Sequence, residues 1–116
     1  MTTQEAYDQM VHWFSRPGAD FGFFADRCWF RANAEVSSEL RCAIGCLIPD
    51  DEYDVTFDKH GGLSSKMNYL PSLKDVDLAF LYQAQAAHDL HARNGLPIPS
   101  FLARLRGVAE GFGLTP

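Results

Sequence analysis

Several features that are typical of membrane and secreted proteins are missing from this chain. It has no apolar run of the roughly 18 residues that a membrane-spanning helix requires. Its first five residues, MTTQE, are neither basic nor apolar, as a secretory signal would be. Its three cysteines, Cys28, Cys42 and Cys46, are an odd number without the spacing of a disulfide framework. These absences predict a cytoplasmic protein.

The chain also lacks an excess of basic residues. Its net charge is −5 at pH 7, and residues 1–60 carry eleven carboxylates against five Arg or Lys. Residues 61–116 carry four against five. A nucleic-acid-binding protein normally has a basic face that displaces counterions from phosphate, so direct binding to nucleic acid is disfavoured. An acidic surface favours a basic protein partner, or simply keeps the chain soluble.

What the chain does contain is enough apolar material for one core. Of its 116 residues, 47% are hydrophobic, and nine Phe, four Tyr and two Trp are among them. This length is that of one ordinary domain and is too short for two. We therefore expect a single domain over residues 1–116, with its aromatic side chains in one core.

Two long segments have the apolar spacing of helices. The first covers residues 3–15 and begins at Thr2 and Glu5, which have the spacing of a capping box. The second follows a cap at Ser72 and ends near residue 93, because Asn94-Gly95 is a typical C-terminal cap.

A third helix is predicted after Ser100, which would be its N-cap. Its apolar stripe would contain Phe101, Leu105, Val108, Ala109 and Phe112. We expect Phe80 of the second helix and Phe112 of the third to meet in the core.

A small hairpin completes the predicted fold. Aromatic residues favour a strand at Cys28–Arg31, and the alternation of Leu40, Cys42 and Ile44 suggests its partner. The segment Cys42–Leu47 fits a short helix equally well, and both readings stay open. These elements predict an α+β fold with three or four helices packed on a small antiparallel β-hairpin.

Two Cys and two His offer a candidate zinc site. Cys42 and Cys46 could supply thiolates, and His88 and His91 could supply imidazoles, which are ligands that zinc prefers. The His pair is closer in sequence than in the usual zinc motifs, and Cys46 lies in an apolar run. We therefore favour core packing of both cysteines over metal binding, and no cofactor is predicted.

The same residues offer a candidate catalytic site. Cys42 or Cys46 could be activated by His60 or His88, with Asp89 orienting the ring. Neighbours on a helix point about 100° apart, however, so Asp89 is expected to face away from His88. A small Cys/His-dependent enzyme or zinc protein is therefore the alternative rather than the preferred hypothesis.

An acidic segment is the preferred candidate for a binding surface. It holds five carboxylates and no basic residue: Asp50, Asp51, Glu52, Asp54 and Asp58. An EF-hand calcium loop is excluded, because Val55 stands where that loop requires Gly and Gly61 where it requires Glu. The segment could present its charges to a Lys- and Arg-rich cleft, and a solvated acidic loop is the simpler alternative.

The most distinctive run is Arg41-Cys42-Ala43-Ile44-Gly45-Cys46-Leu47-Ile48-Pro49-Asp50. It resembles a recurrent family of small proteins that are encoded by bacteriophages and prophages. The likeness extends through residues 85–89 and 108–114, but residues 32–39 lack the short Gly-containing turn that the family has. The family carries no established activity, so the resemblance implies a mobile-element origin. A non-enzymatic accessory protein that inhibits a host protein, such as an anti-CRISPR counter-defence factor, is the function it suggests.

Overall fold

The fold is mostly helical. The computed structural model describes residues 1–24, 27–28, 40–53 and 70–116. Its helices in these ranges are α1 (Thr3–Phe14), α2 (Leu78–Arg93) and α3 (Ile98–Gly111), with one short 3₁₀ turn at Gly45–Leu47. Antiparallel pairing in the same ranges is confined to two residues on each side, β1 (Phe23–Phe24) and β2 (Arg27–Cys28). The predicted α+β class, with helices packed on a hairpin sheet, is therefore wrong.

The predicted pairing of Cys28–Arg31 with Leu40–Ile44 is also wrong where the structure describes it. Cys28 pairs with Phe23, and Arg41 forms one isolated parallel bridge with Phe21. Residues 29–31 lie outside the described residues. The physical reason is the continuous burial of residues 42–48, because a strand with one exposed face would place every second residue in solvent. This run instead turns inward as a compact coil, in which the Ile44 carbonyl accepts from Leu47 N–H at 2.9 Å.

The start of α1 confirms the predicted capping box. The Thr2 hydroxyl accepts from Glu5 N–H at 3.1 Å, and the Glu5 carboxylate accepts from Thr2 N–H at 2.9 Å. The helix ends at Phe14, close to the predicted residue 15. Its buried face repeats every three or four residues, as an amphipathic helix requires: Ala6, Tyr7, Met10 and Phe14.

Helix α2 ends as predicted but begins later. Its C-cap is Asn94, and Gly95 adopts a positive φ of 63°, which closes the helix at little conformational cost. The N-cap is Asp77, whose carboxylate accepts from Ala79 N–H at 2.8 Å. Ser72 does not cap this helix, because its backbone and side chain are hydrogen-bonded to Glu52 instead.

Helix α3 packs against α2 through the predicted stripe. Phe101, Leu105 and Ala109 are buried, although the N-cap is Pro97 rather than Ser100. The rings of Phe80 and Phe112 meet edge to face with centroids 5.8 Å apart, which confirms the predicted contact between the last two helices. Within the described ranges, no helix is both long and apolar enough to cross a membrane.

The substitution Phe80→Ala tests this packing. Phe80 is 0% exposed, whereas Tyr82, two residues further along the same helix, is 50% exposed. Because truncating a buried Phe removes contacts and leaves a cavity, we expect Phe80→Ala to lower the free energy of unfolding by about 3–5 kcal/mol. Urea denaturation of Phe80→Ala and of the matched control Tyr82→Ala measures the difference. Equal losses in the two variants would contradict the helix register.

Candidate functional site

The residue at the centre of the described structure is His88, on the inward face of α2. It is 0% exposed. Three phenylalanine rings surround its imidazole, with centroids at 5.9 Å for Phe14, 5.2 Å for Phe21 and 6.0 Å for Phe101. These rings come from α1, from the segment after it and from α3, so His88 lies where three parts of the chain meet.

Both nitrogens of His88 have hydrogen-bond partners. The backbone N–H of Gly22 lies 3.1 Å from Nε2, and a carboxylate oxygen of Asp89 lies 2.9 Å from Nδ1. Because a backbone N–H can only donate, Nε2 must be the unprotonated acceptor, and Nδ1 then carries the proton and donates to Asp89. Burial lowers the pKa of His88, while Asp89 opposes the shift through its hydrogen bond and its charge. The ring is therefore neutral at pH 7.

Asp89 contacts His88 despite their adjacent positions on the helix. The expectation that it faces away was wrong, because Nδ1 is the ring nitrogen nearest the backbone and a short carboxylate side chain can bend back to it. The same carboxylate oxygen accepts from the side-chain amide of Gln85 at 2.7 Å. The Gln85 carbonyl oxygen accepts in turn from the backbone N–H of Ile44 at 3.1 Å. A hydrogen-bonded network thus joins α2 to two non-helical segments.

The candidate thiols are occupied within the core. Cys42 and Cys46 are both buried, which confirms that they pack as core residues. The Cys46 thiol donates to the Ala43 carbonyl at 3.0 Å, and Cys42 Sγ accepts from Gly45 N–H at 3.3 Å. Burial raises the pKa of Cys46 far above its ordinary value, so this thiol stays protonated at neutral pH.

The candidate zinc and catalytic sets are not assembled in the described part of the chain. No group of three or more His, Cys, Asp or Glu residues there could hold a metal ion. His91 is buried, with Nδ1 2.8 Å from the Ala87 carbonyl. Neither nitrogen of His88 is available as a ligand or a general base, because Nε2 accepts from Gly22 N–H and Nδ1 donates to Asp89. His60, the other proposed base, lies outside the described residues.

The acidic segment divides into exposed and structural residues. Asp50 and Asp51 are exposed on a turn, in which the Pro49 carbonyl accepts from Glu52 N–H at 3.0 Å and Tyr53 N–H at 3.1 Å. Glu52 is partly buried, and its carboxylate accepts from the backbone N–H of Ser72 at 3.0 Å and from the Ser72 hydroxyl. Asp54 and Asp58 lie outside the described residues.

Asp50 has a loose ionic contact. Its carboxylate lies 3.7 Å from a guanidinium nitrogen of Arg41, and its side chain is 84% exposed.

Glu52 has a structural role that sequence reasoning missed, because only its contact with Ser72, 20 residues away, reveals it. Gln85 was missed too, although Gln and Asp four residues apart on a helix are a recognisable hydrogen-bonding pair.

No protein-family model, curated protein or solved structure matches this chain.

The buried imidazole predicts that stability depends on pH. An unfolded His has a pKa of about 6.5, and the folded pKa of His88 is lower, so protons bind preferentially to the unfolded chain. The contribution of His88 to the free energy of unfolding is therefore complete above about pH 6.5. It is lost as the pH falls below this value, by up to about 1.4 kcal/mol per pH unit. The carboxylates of Asp89 and Asp20 oppose the shift, and His91 adds to it.

Urea denaturation between pH 7.5 and 5.5 measures this dependence. We expect the slope to flatten in His88→Gln and to persist in His12→Gln, whose His is exposed on α1. A slope that is unchanged in His88→Gln would show that another group titrates.

The anchoring role of Glu52 predicts a difference between two neighbouring acids. Removing its carboxylate in Glu52→Ala leaves the partly buried donors of Ser72 without their acceptor. We expect a loss of about 1–3 kcal/mol in the free energy of unfolding. Asp51→Ala is the matched control and should stay within about 0.5 kcal/mol of the parent, because its side chain is exposed. Thermal melts of the two variants measure this difference. Equal losses of stability in Glu52→Ala and Asp51→Ala would contradict the anchoring role of Glu52.

Proposed function

We propose that this chain is a non-enzymatic binding protein, and that its acidic turn contacts a basic surface of another protein. The observation that carries the proposal is the division within the acidic segment. Glu52 is anchored to Ser72, while the adjacent Asp50 and Asp51 are exposed. His88 and Cys46, two members of the candidate catalytic set, are hydrogen-bonded inside the core.

The anchored turn suits electrostatic recognition. Two backbone hydrogen bonds to Pro49 and the Glu52–Ser72 contact order the backbone beneath the exposed carboxylates. A surface that is already ordered loses less conformational entropy when a partner binds. Negative charges at such a position speed the encounter with a positively charged surface, and salt weakens this effect.

The partner we propose is a host protein in the cytoplasm of a bacterial cell. This part of the proposal rests on the resemblance to phage and prophage proteins, together with the net charge of −5. A basic cleft of a nucleic-acid-handling complex, such as a CRISPR effector, has the complementary chemistry. Inhibition would follow from occupation of that cleft, without a chemical reaction.

Charge reversal at the turn tests the proposal. The partner is first captured from host lysate with the wild-type chain and identified by mass spectrometry. Association rates are then measured for wild type, Asp51→Lys and Asp75→Lys. Asp75 is exposed outside the turn, so the two variants share the same change in net charge. We expect Asp51→Lys to slow association about tenfold at low salt, with a smaller effect at physiological salt, because steering is screened.

The melting temperatures of both variants serve as the folding control. If Asp51→Lys folds normally and associates as fast as Asp75→Lys, the acidic turn does not form the interface and the proposal is wrong.

A further inference from the structure

A second polar cluster lies near the end of α1, apart from the His88 network. Its centre is the indole ring of Trp13, in the last turn of that helix. The Cζ atom of Arg16 is 3.5 Å from the centroid of this ring, and the Cζ atom of Arg41 is 4.8 Å from it. Two guanidinium groups from separate segments therefore contact one aromatic ring, an arrangement that cation–π attraction stabilises.

Arg16 is held in one orientation by two contacts. In addition to the stacking, its Nε–H donates to the Trp13 carbonyl at 2.9 Å. A guanidinium has five N–H groups in one plane, so the four on the terminal nitrogens remain for other acceptors. Within the described residues, no carboxylate pairs with Arg16. The side chain is thus ordered in advance of any ligand, which lowers the entropic cost of binding.

Arg41 lies beside the same ring, and Asp50 offsets part of its positive charge. The Arg41 side chain is only 20% exposed, and the carboxylate of Asp50 is 3.7 Å away. The charges of Arg41 and Arg16 both act on the buried thiol of Cys46 and favour its ionised form, against the larger effect of burial. Both guanidiniums lie over the same Trp13 ring, so their fields add there, in a chain whose net charge is negative.

We propose that Arg16, which stacks on Trp13 beside Arg41, forms a binding site for an oxyanion. The oxyanion would be a carboxylate or a phosphate group. The two terminal nitrogens of a guanidinium present parallel N–H groups, whose spacing matches two oxygens of such an anion. Arg41 adds long-range attraction for the anion, which the nearby Asp50 carboxylate reduces. The site takes a small anion and does not depend on the protein partner proposed above.

The test is an NMR titration of the full chain at pH 7.5 and constant ionic strength. Sodium phosphate and sodium acetate are added in separate series, and sodium chloride is the reference. The signals to follow are the Trp13 indole N–H, identified as the one that persists in Trp29→Phe, and the Arg16 Nε–H. We expect a saturable shift of both signals, with a dissociation constant of about 10 mM or tighter for at least one oxyanion.

Two variants locate the site. Arg16→Gln should weaken binding at least about tenfold, because it removes a charge-assisted pair of hydrogen bonds. Arg104→Gln is the matched control. Arg104 is exposed on α3, so this substitution removes the same charge at a different place. Saturation by phosphate alone assigns the site to phosphate groups, and saturation by acetate alone assigns it to carboxylates.

If phosphate and acetate shift the two wild-type signals no more than chloride does, the proposal is wrong, whether or not Arg16→Gln folds. Equal weakening in Arg16→Gln and Arg104→Gln would overturn it too, because the effect would then reflect net charge alone.

Discussion

The described structure depends most on the hydrogen bond from the Gly22 backbone to the buried imidazole of His88. A buried polar group without a partner costs about 1–3 kcal/mol. The Gly22 N–H and the His88 Nε2 therefore each need the other as a hydrogen-bond partner. Because Nε2 accepts from Gly22, the ring must be neutral and must donate through Nδ1 to Asp89. Asp89 then accepts from Gln85, which in turn holds the Ile44 backbone. Helix α2 thereby fixes both non-helical segments that pack beside it.

This network commits His88 to the packing of the core. Histidine is a common general base and metal ligand. In this chain, both nitrogens of His88 are used in hydrogen bonds that hold the fold together. Cys46 is similarly committed, as a protonated donor to the Ala43 carbonyl. Buried polar groups whose hydrogen bonds are all satisfied help to specify a unique packing. The groups that we propose for recognition lie at the surface: the anchored acidic turn and the stacked guanidinium of Arg16.

The parts of the fold that could be predicted are those that local chemistry decides. The capping pair of Thr2 and Glu5 lies within one helical turn, and so does the Asn94-Gly95 ending of α2. The buried stripe of Phe101, Leu105 and Ala109 follows from helical periodicity alone. Each of these features depends on residues a few positions apart, which the sequence displays directly.

The parts that were missed are decided by distant partners. Ser72 has the look of a helix cap, but it pairs with Glu52, 20 residues earlier. Gly22 meets His88 across 66 residues, and Ile44 meets Gln85 across 41. Alternation at residues 40–44 favours a strand, but residues 42–48 are all buried and include a 3₁₀ turn at Gly45–Leu47. Periodicity cannot reveal such contacts, because neither partner shows by itself which group it will meet.

The protonation state of His88 decides whether the network through Gly22, Asp89 and Gln85 exists. Long-range ¹H–¹⁵N correlation spectra at pH 7.5 report which ring nitrogen carries the proton. We predict a neutral ring with the proton on Nδ1, and a Gly22 amide signal shifted by its hydrogen bond to Nε2. A proton on Nε2, or a charged imidazolium at this pH, would mean that Gly22 cannot donate to the ring. The network that joins α2 to its neighbours would then be wrong.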